Sequence, residues 1–231
     1  MTEEPTHRTV LKATEPEGRQ ELWTQRADAY RDATDQAMGD DLDLVVRWCT
    51  AAGETALDVA TGGGHVARRL REAGMRVTTL DPAPGMRPDV IARAEDIPFA
   101  DSSFDVTVTR IAPHHFTDIR AAVRELGRVA RKAVVVEDTL YIDEAVEEAE
   151  RLRDPTHVRS YTEADWREFL GEAGVEVRAV ERFEKRRPVD LWLARTGCEG
   201  EEAQRVRALL ADHIDGGDYV DVKLLLLGEV G

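Results

Sequence analysis

The sequence predicts an α/β fold: a mostly parallel sheet with helices on both faces. Three observations predict it. Short apolar runs alternate with stretches of helical periodicity, the pattern of repeated strand–helix units. The candidate strands are continuously apolar rather than alternating, which suits strands covered on both faces. The third is the stretch Leu57-Asp58-Val59-Ala60-Thr61-Gly62-Gly63-Gly64-His65-Val66-Ala67. A short apolar run there meets three glycines, then passes into helical spacing through Val66, Ala67, Leu70 and Ala73, with Gly74 as a stop. Glycine allows a sharp turn and close approach of the backbone to a ligand. Strand, glycine turn and helix in that order form a unit that holds nucleotide-like ligands.

Length and charge bound the rest. The 231 residues favour one domain, or one with an appendage, and 42% hydrophobic content supports a sizeable core. With 46 acidic and 31 basic side chains the net charge is −15, which disfavours nucleic acid and anionic membranes as partners. The densest basic run, Lys185-Arg186-Arg187, is short and follows a predicted strand. No run of 18 apolar residues occurs, and the N-terminus is polar and acidic rather than a signal peptide, so a cytoplasmic location is expected. Cys49 and Cys198 lie far apart and read as free thiols, with no metal-ligand spacing.

Taken in order, residues 1–19 are polar and read as a mobile arm. Residues 20–37 form a helix with Leu22, Trp23, Ala27 and Tyr30 near one face, and Trp23 and Tyr30 read as helix-packing residues. A second helix over 41–52 places Leu42, Val45, Val46 and Cys49 at i, i+3, i+4 and i+7. Strands are predicted over 55–59, 76–81, 90–93, 104–110 and 133–138. Three prolines within 82–88 argue for a loop or single turn between the second and third strands. Helices follow over 117–131 and 143–153, the second with a Glu147–Arg151 pair in the favourable order. Thr162 and Asp165 resemble a capping box opening a helix that carries Trp166, Phe169, Leu170 and Ala173. The sixth strand is 175–183 and the last is 218–229. The division expected is an N-terminal arm with cap helices (1–53), a core (54–187), an insertion (188–217) with Trp192 and Val206 on short helices, and the last strand (218–231). The insertion is a candidate wall of a ligand pocket.

Two chemistries fit the glycine turn. Gly62 to Ala67 fits G-x-G-x-x-A, a dinucleotide pattern that is weak alone. The other is a turn for S-adenosylmethionine (SAM), with an acid a few residues before the glycines. Asp58 sits four residues before Gly62; a carboxylate there attracts an amino group and repels a pyrophosphate. Asp81, ending the second strand, suits ribose hydroxyls in either case.

Downstream, Arg93-Ala94-Glu95-Asp96-Ile97-Pro98-Phe99 and then Phe104-Asp105 resemble the adenine-side motif of class I SAM-dependent methyltransferases, a pattern of the type A-E-D-L-P-F … F-D. With Leu57–Gly64 and Thr78-Thr79-Leu80-Asp81 in the same order, three motifs agree. The chain thus resembles the small-molecule branch that includes ubiquinone- and menaquinone-biosynthesis-type methyltransferases. The resemblance is specific over 56–138, looser over 154–183, and weak in the first fifty residues. It implies a Rossmann-like sheet of seven strands, the last antiparallel, and S-adenosyl-L-methionine as cofactor. It implies a cofactor frame of Asp58, Ala60, Gly62, Gly64, Asp81 and Pro82. Ala94 would offer its backbone N–H to the adenine. Arg93 replaces the family's usual acid and only donates, so Glu95 or a backbone carbonyl would take that contact.

The run Thr109-Arg110-Ile111-Ala112-Pro113-His114-His115-Phe116 resembles the R-x-A-x-H-H-F of one subgroup. Arg110 and Ile111 would flank the methionine end of the cofactor. His114 and His115 are the candidate general bases, since imidazole titrates near 6.5; the alternative is that they fix the loop. His65 reads as a capping or packing residue. His157 and Tyr161, in the loop 153–161, are candidate pocket residues; with His114, His115 and Asp138 they lack metal-ligand spacing. Methyl transfer from a sulfonium needs neither metal nor protein nucleophile. The function implied is transfer of a methyl group to a small, partly apolar molecule. Alternatives are the same fold performing another reaction, such as a cyclisation, or only binding a partner, and a nicotinamide-dependent oxidoreductase, which Asp58 and the Ala94–Phe99 motif argue against.

Overall fold

The structure, a computed structural model, describes residues 16–33 and 37–231. The expected arm over 1–15 and residues 34–36 of the expected first helix lie outside them. Helix α1 (Pro16–Arg31) begins within the stretch read as arm. After α2 (Asp40–Ala52) come β1 (Thr55–Val59), α3 (His65–Glu72), β2 (Arg76–Asp81), β3 (Val90–Ile91), β4 (Phe104–Arg110), α4 (Ile119–Val129) and β5 (Ala130–Thr139). Then follow α5 (Glu144–Arg153), α6 (Glu163–Glu172), β6 (Val175–Pro188), α7 (Val189–Ala194), α8 (Gly200–Leu209), β7 (Ile214–Asp215) and β8 (Asp218–Val230).

The sheet runs β3-β2-β1-β4-β5-β8-β6. β1 to β5 are mutually parallel, and β8 is antiparallel to both β5 and β6. Seven strands lie on this path, and the two-residue β7, absent from the sequence-based expectation, pairs with β8. Two residues carry too little periodicity to announce a strand.

Period-two alternation sorts the sheet's side chains. Val134, Val136, Leu224 and Leu226 face α4 and α6, packing with Leu126, Trp166 and Leu170. Val135, Leu225, Val106 and Val108 face the other way, onto α2 and α3 through Leu42, Val45 and Leu70. Each such aliphatic side chain contributes about 1.5–3 kcal/mol on burial. Caps hold the helices: the Asp118 side chain accepts from Ala121 N at the start of α4, and the Thr162–Asp165 capping box opens α6.

Several elements differ in extent from the sequence reading: the third strand ends at Ile91, the helix expected over 117–131 covers Ile119–Val129, and the fifth strand starts at Ala130. The sixth strand continues five residues past its expected end, to Pro188. The run Lys185-Arg186-Arg187 therefore lies inside a strand. Lys185 and Arg187 turn to Asp41 and Asp221, while Arg186 turns to Asp215 on the other side. These partners lie far away in sequence. The proline-rich 82–88 segment makes one 3-10 turn, Pro84–Met86, and α1 lies on it. Ala27 packs on Ala83 and Met86, and the Arg31 guanidinium donates to Gly85 O at 2.8 Å.

Candidate functional site

At the carboxyl ends of β1, β2 and β4 lies a cleft of about 1080 Å³, part of it open to solvent. β1 ends in the glycine turn, where Gly62 and Gly64 have φ of 51° and 75°, a region glycine adopts without a steric penalty. Ala60 at φ 57° and Ile111 at φ 52° share that region without being glycine. They follow β1 and β4 directly, and each costs about 1–3 kcal/mol of backbone strain. Two of the four such residues among those described border the cleft, the others being Arg87 and Ser102.

Two buried carboxylates shape its floor. Asp58 Oδ2 accepts from Thr61 Oγ1 at 2.6 Å and Ala67 N at 3.1 Å, while Oδ1 makes no hydrogen bond among the described residues. Burial pushes this acid up to about 6, against the lowering effect of those two bonds. Asp81 Oδ2 accepts from Gly62 N at 3.0 Å and Oδ1 from Ala83 N at 2.9 Å, so each oxygen keeps a lone pair. Burial raises this acid too.

Helix α1 covers the turn. A Cβ on Gly63 would lie 2.5 Å from the Tyr30 carbonyl oxygen. The same carbonyl accepts from His65 Nε2 at 2.9 Å. His65 thus fastens the cover, in line with its reading as a capping or packing residue. Trp23 and Tyr30 pack on the turn below and also line the cleft. Periodicity alone assigned them to packing because it cannot show what lies beneath a helix.

At the opposite wall Ala94 is buried and lines the cleft. The Glu95 carboxylate is held by Arg93 Nη2 at 3.0 Å and by Thr117 N and Oγ1 at 2.9 and 2.8 Å. Arg93 and Glu95 therefore satisfy each other. The Arg110 guanidinium is bonded to Asp41 and Glu137, each at 2.6 Å, while Ile111 borders the cleft.

The histidines divide. His115 lines the cleft beside the Trp23 ring, 5.6 Å away edge-on. Its Nδ1 donates to Thr156 O at 3.1 Å. Burial, and next the adjacent His114, hold it well below the usual imidazole value, so it is neutral at pH 7. His114 turns away into a second cavity of about 490 Å³, which shares Tyr30, Ile111 and His115 with the cleft. His114 Nδ1 donates to Asp138 Oδ1 at 2.5 Å, and Nε2 makes no hydrogen bond among the described residues. His157 also lines this second cavity and pairs with Glu147 Oε1 at 2.9 Å. Glu147 is therefore a buried partner of His157 as well as of Arg151.

The structure brings Asp58, Ala60, Gly62, Asp81, Pro82, Ala94, Glu95, Arg110, Ile111 and His115 to one cleft. Gly64 lies behind it, starting α3, and His114 lies beyond it. Tyr161 corrects an expectation: it lines neither cavity, and its ring packs edge-on at 5.2 Å from Phe169 in the core. The sequence reading did not single out Lys223 and Asp221, which line the second cavity. Their signal was two charged residues on one face within the apolar stretch of β8 from Tyr219 to Leu227.

Acidic strand ends around a glycine turn, in a doubly wound sheet, are the arrangement that the resemblance to class I SAM-dependent methyltransferases implies. A family described as a methyltransferase domain matches residues 57–136, and with the relatives that follow it supports an enzyme using SAM as methyl donor. An uncharacterized methyltransferase, YcgJ of Bacillus subtilis, is 27% identical over 208 residues, 80% of this chain and 82% of that protein. The crystal structure of YcgJ superposes with a TM-score of 0.74 at 24% identity, covering 82% of this chain and 97% of that one. A putative methyltransferase from Bacillus halodurans gives 0.72 at 25% identity over 83% and 99%. A demethylmenaquinone methyltransferase of Corynebacterium urealyticum is 32% identical over 89 residues, only 35% of this chain and 39% of that protein.

Among the described residues no helix is long and apolar enough to cross a membrane, and no group of three or more His, Cys, Asp or Glu is arranged to hold a metal ion. The residues present fit SAM: buried acceptors with spare lone pairs at Asp58 and Asp81, and a glycine turn that leaves open space at Gly62 and Gly64.

Proposed function

We propose that the chain transfers the SAM methyl group to a small, partly apolar molecule seated where the two cavities meet, with His114 as the proton acceptor. SAM supplies a methyl group already activated by its sulfonium. Asp58 attracts the donor's amino group, Asp81 accepts from the ribose hydroxyls, and Ala94 offers its backbone to the adenine. Helix α1, pinned by His65, excludes water and orients what lies beneath it; such positioning supplies much of the rate in a displacement at carbon. Trp23, Tyr30, Ile111 and Phe116 give the apolar wall.

The observation that carries the reading is the His114–Asp138 pair, with His114 lining the second cavity and its ring 4.2 Å from that of His115 at the junction. Asp138 holds Nδ1–H and leaves Nε2 bare, the tautomer that takes a proton from an acceptor as the methyl arrives. His115, uncharged at the boundary, keeps positive charge away from the sulfonium. The test is incubation with labelled SAM and a panel of phenols, activated carbon acids and carboxylic acids. Label transfer that falls in His114→Gln, while binding of S-adenosylhomocysteine stays, supports the reading. Absence of SAM and S-adenosylhomocysteine binding would overturn it.

A further inference from the structure

The second cavity carries a charge imbalance that methyl transfer alone does not explain. Arg187 Nη2 reaches both oxygens of Asp221, at 2.8 and 3.1 Å. Lys223 Nζ donates to Asp221 Oδ2 at 2.6 Å and to Thr139 Oγ1 at 2.5 Å. One carboxylate thus faces two cations, and all three side chains are buried or nearly so, at 15%, 1% and 2% exposure. The third Lys223 hydrogen, and Nε and Nη1 of Arg187, make no hydrogen bond among the described residues.

The nearby buried acid Asp138 is engaged by His114 rather than by Lys223 or Arg187. Glu150 is paired with Arg153 at 3.2 Å. Further along the same face of β4, β5 and β6, Arg110 and Lys185 meet Asp41 and Glu137, two cations and two acids. Burial raises the Glu137 acid to about 7, which removes negative charge rather than adding it. His115 is neutral at pH 7. At Asp221, then, two buried cations share one carboxylate. A buried charge without a counter-charge is costly, and a ligand oxyanion removes that cost on binding. The imbalance lies in the cavity that His114 also lines, beside the cofactor cleft.

We infer that the methyl acceptor is an acidic small molecule whose carboxylate or other oxyanion is held by Lys223 and Arg187, with its reacting atom toward His114 and His115. This rests on the methyl-transfer reading and names its substrate class. The arginine offers a planar fork and the lysine a point charge, a pair suited to an oxyanion. The apolar walls at the cavity junction accept the remainder of the molecule.

The test uses the full chain saturated with S-adenosylhomocysteine, in thermal unfolding with millimolar benzoate, phenyl phosphate or benzamide. The acids should raise the melting temperature and benzamide should not. A response to benzoate alone assigns a carboxylate, and to phenyl phosphate alone a phosphate ester. Lys223→Met should abolish the response. It should also raise the melting temperature of the ligand-free protein by about 2–4 °C, because Asp221 then pairs one-to-one with Arg187. A purely structural Lys223 gives the opposite: a lower melting temperature in Lys223→Met and an unchanged acid response. That result overturns the inference, as does an equal response to benzamide and benzoate or no response to either acid. Arg187→Gln, which keeps the Lys223–Asp221 pair, should also weaken the response. Calorimetry with S-adenosylhomocysteine separates the two failures. A chain that binds it but ignores acids loses the acceptor class, and one that does not bind it loses the methyl-transfer reading.

Discussion

The cofactor cleft and the cavity beside it meet at Tyr30, Ile111 and His115, yet they draw on the chain in different ways. The cleft is built mainly from short contiguous segments at the ends of neighbouring parallel strands: the glycine turn, Asp81-Pro82, Arg93-Ala94-Glu95 and the loop after β4. The second cavity joins Thr139 on β5, Arg153 on α5, Arg187 on β6, Trp192 on α7 and Lys223 on β8. One is set by local backbone geometry, the other by long antiparallel pairing of β8 with β5 and β6. A cofactor shared by many enzymes can be held by a local motif, whereas an acceptor site varies through parts distant in sequence.

Four experiments break or sharpen that contrast. The largest effect is expected at the junction. His114→Gln has no basic nitrogen, so turnover should fall about 10²–10⁴-fold with S-adenosylhomocysteine affinity within a few fold. Equal turnover in this variant and in the His114, His115 double variant would reduce both histidines to loop supports.

On the cleft side, Asp81→Ala removes charge-assisted acceptors worth roughly 1.5–3 kcal/mol per bond. SAM affinity should drop at least tenfold by calorimetry. An unchanged affinity removes Asp81 from the cofactor site.

Gly63→Ala comes next. Its Cβ would sit 2.5 Å from the Tyr30 carbonyl, so α1 must shift, whereas Gly62 has open space but a φ of 51°. Sequence alone ranks Gly62→Val as the more damaging change, because Gly62 matches the position of close ligand approach. The packing of α1 adds a cost in stability at Gly63: Gly63→Ala should destabilise by about 1–3 kcal/mol and loosen α1, seen as faster hydrogen exchange over residues 21–31. Protection of α1 equal to wild type would mean the cover is not seated on the glycine turn.

The smallest effect is a pH dependence. Burial raises Asp58 to about 6, so below that pH the folded chain carries a neutral acid there and loses attraction for the donor's amino group. SAM affinity should therefore rise with pH through about 6 and level off above it, and Asp58→Asn should lack the rise. A flat profile in the wild type would separate Asp58 from the cofactor.

What could be read in the residues follows the same division. The strand–glycine–helix unit, the acids at 58 and 81, and the parallel order of β1 to β5 were legible, because each is a pattern within a few neighbouring residues. Tyr161 was misassigned because a polar-looking loop does not reveal that its ring turns inward onto Phe169. Glu95 looked free for adenine because nothing in the sequence brings Thr117 to it.

By itself the sequence determined the strand ends that line the cleft: hydrophobic period, glycine placement and acids at strand ends act over one or two turns of backbone. Only the tertiary structure decided which histidine faces which cavity, that Asp138 backs His114, and that Lys223 and Arg187 share one carboxylate. The physical reason is that charge balance and proton position depend on what lies within a few ångströms. For these groups the neighbours come from strands and helices tens of residues apart, brought together by the parallel β4–β5 pair at His114 and by the antiparallel β8 at Lys223 and Arg187.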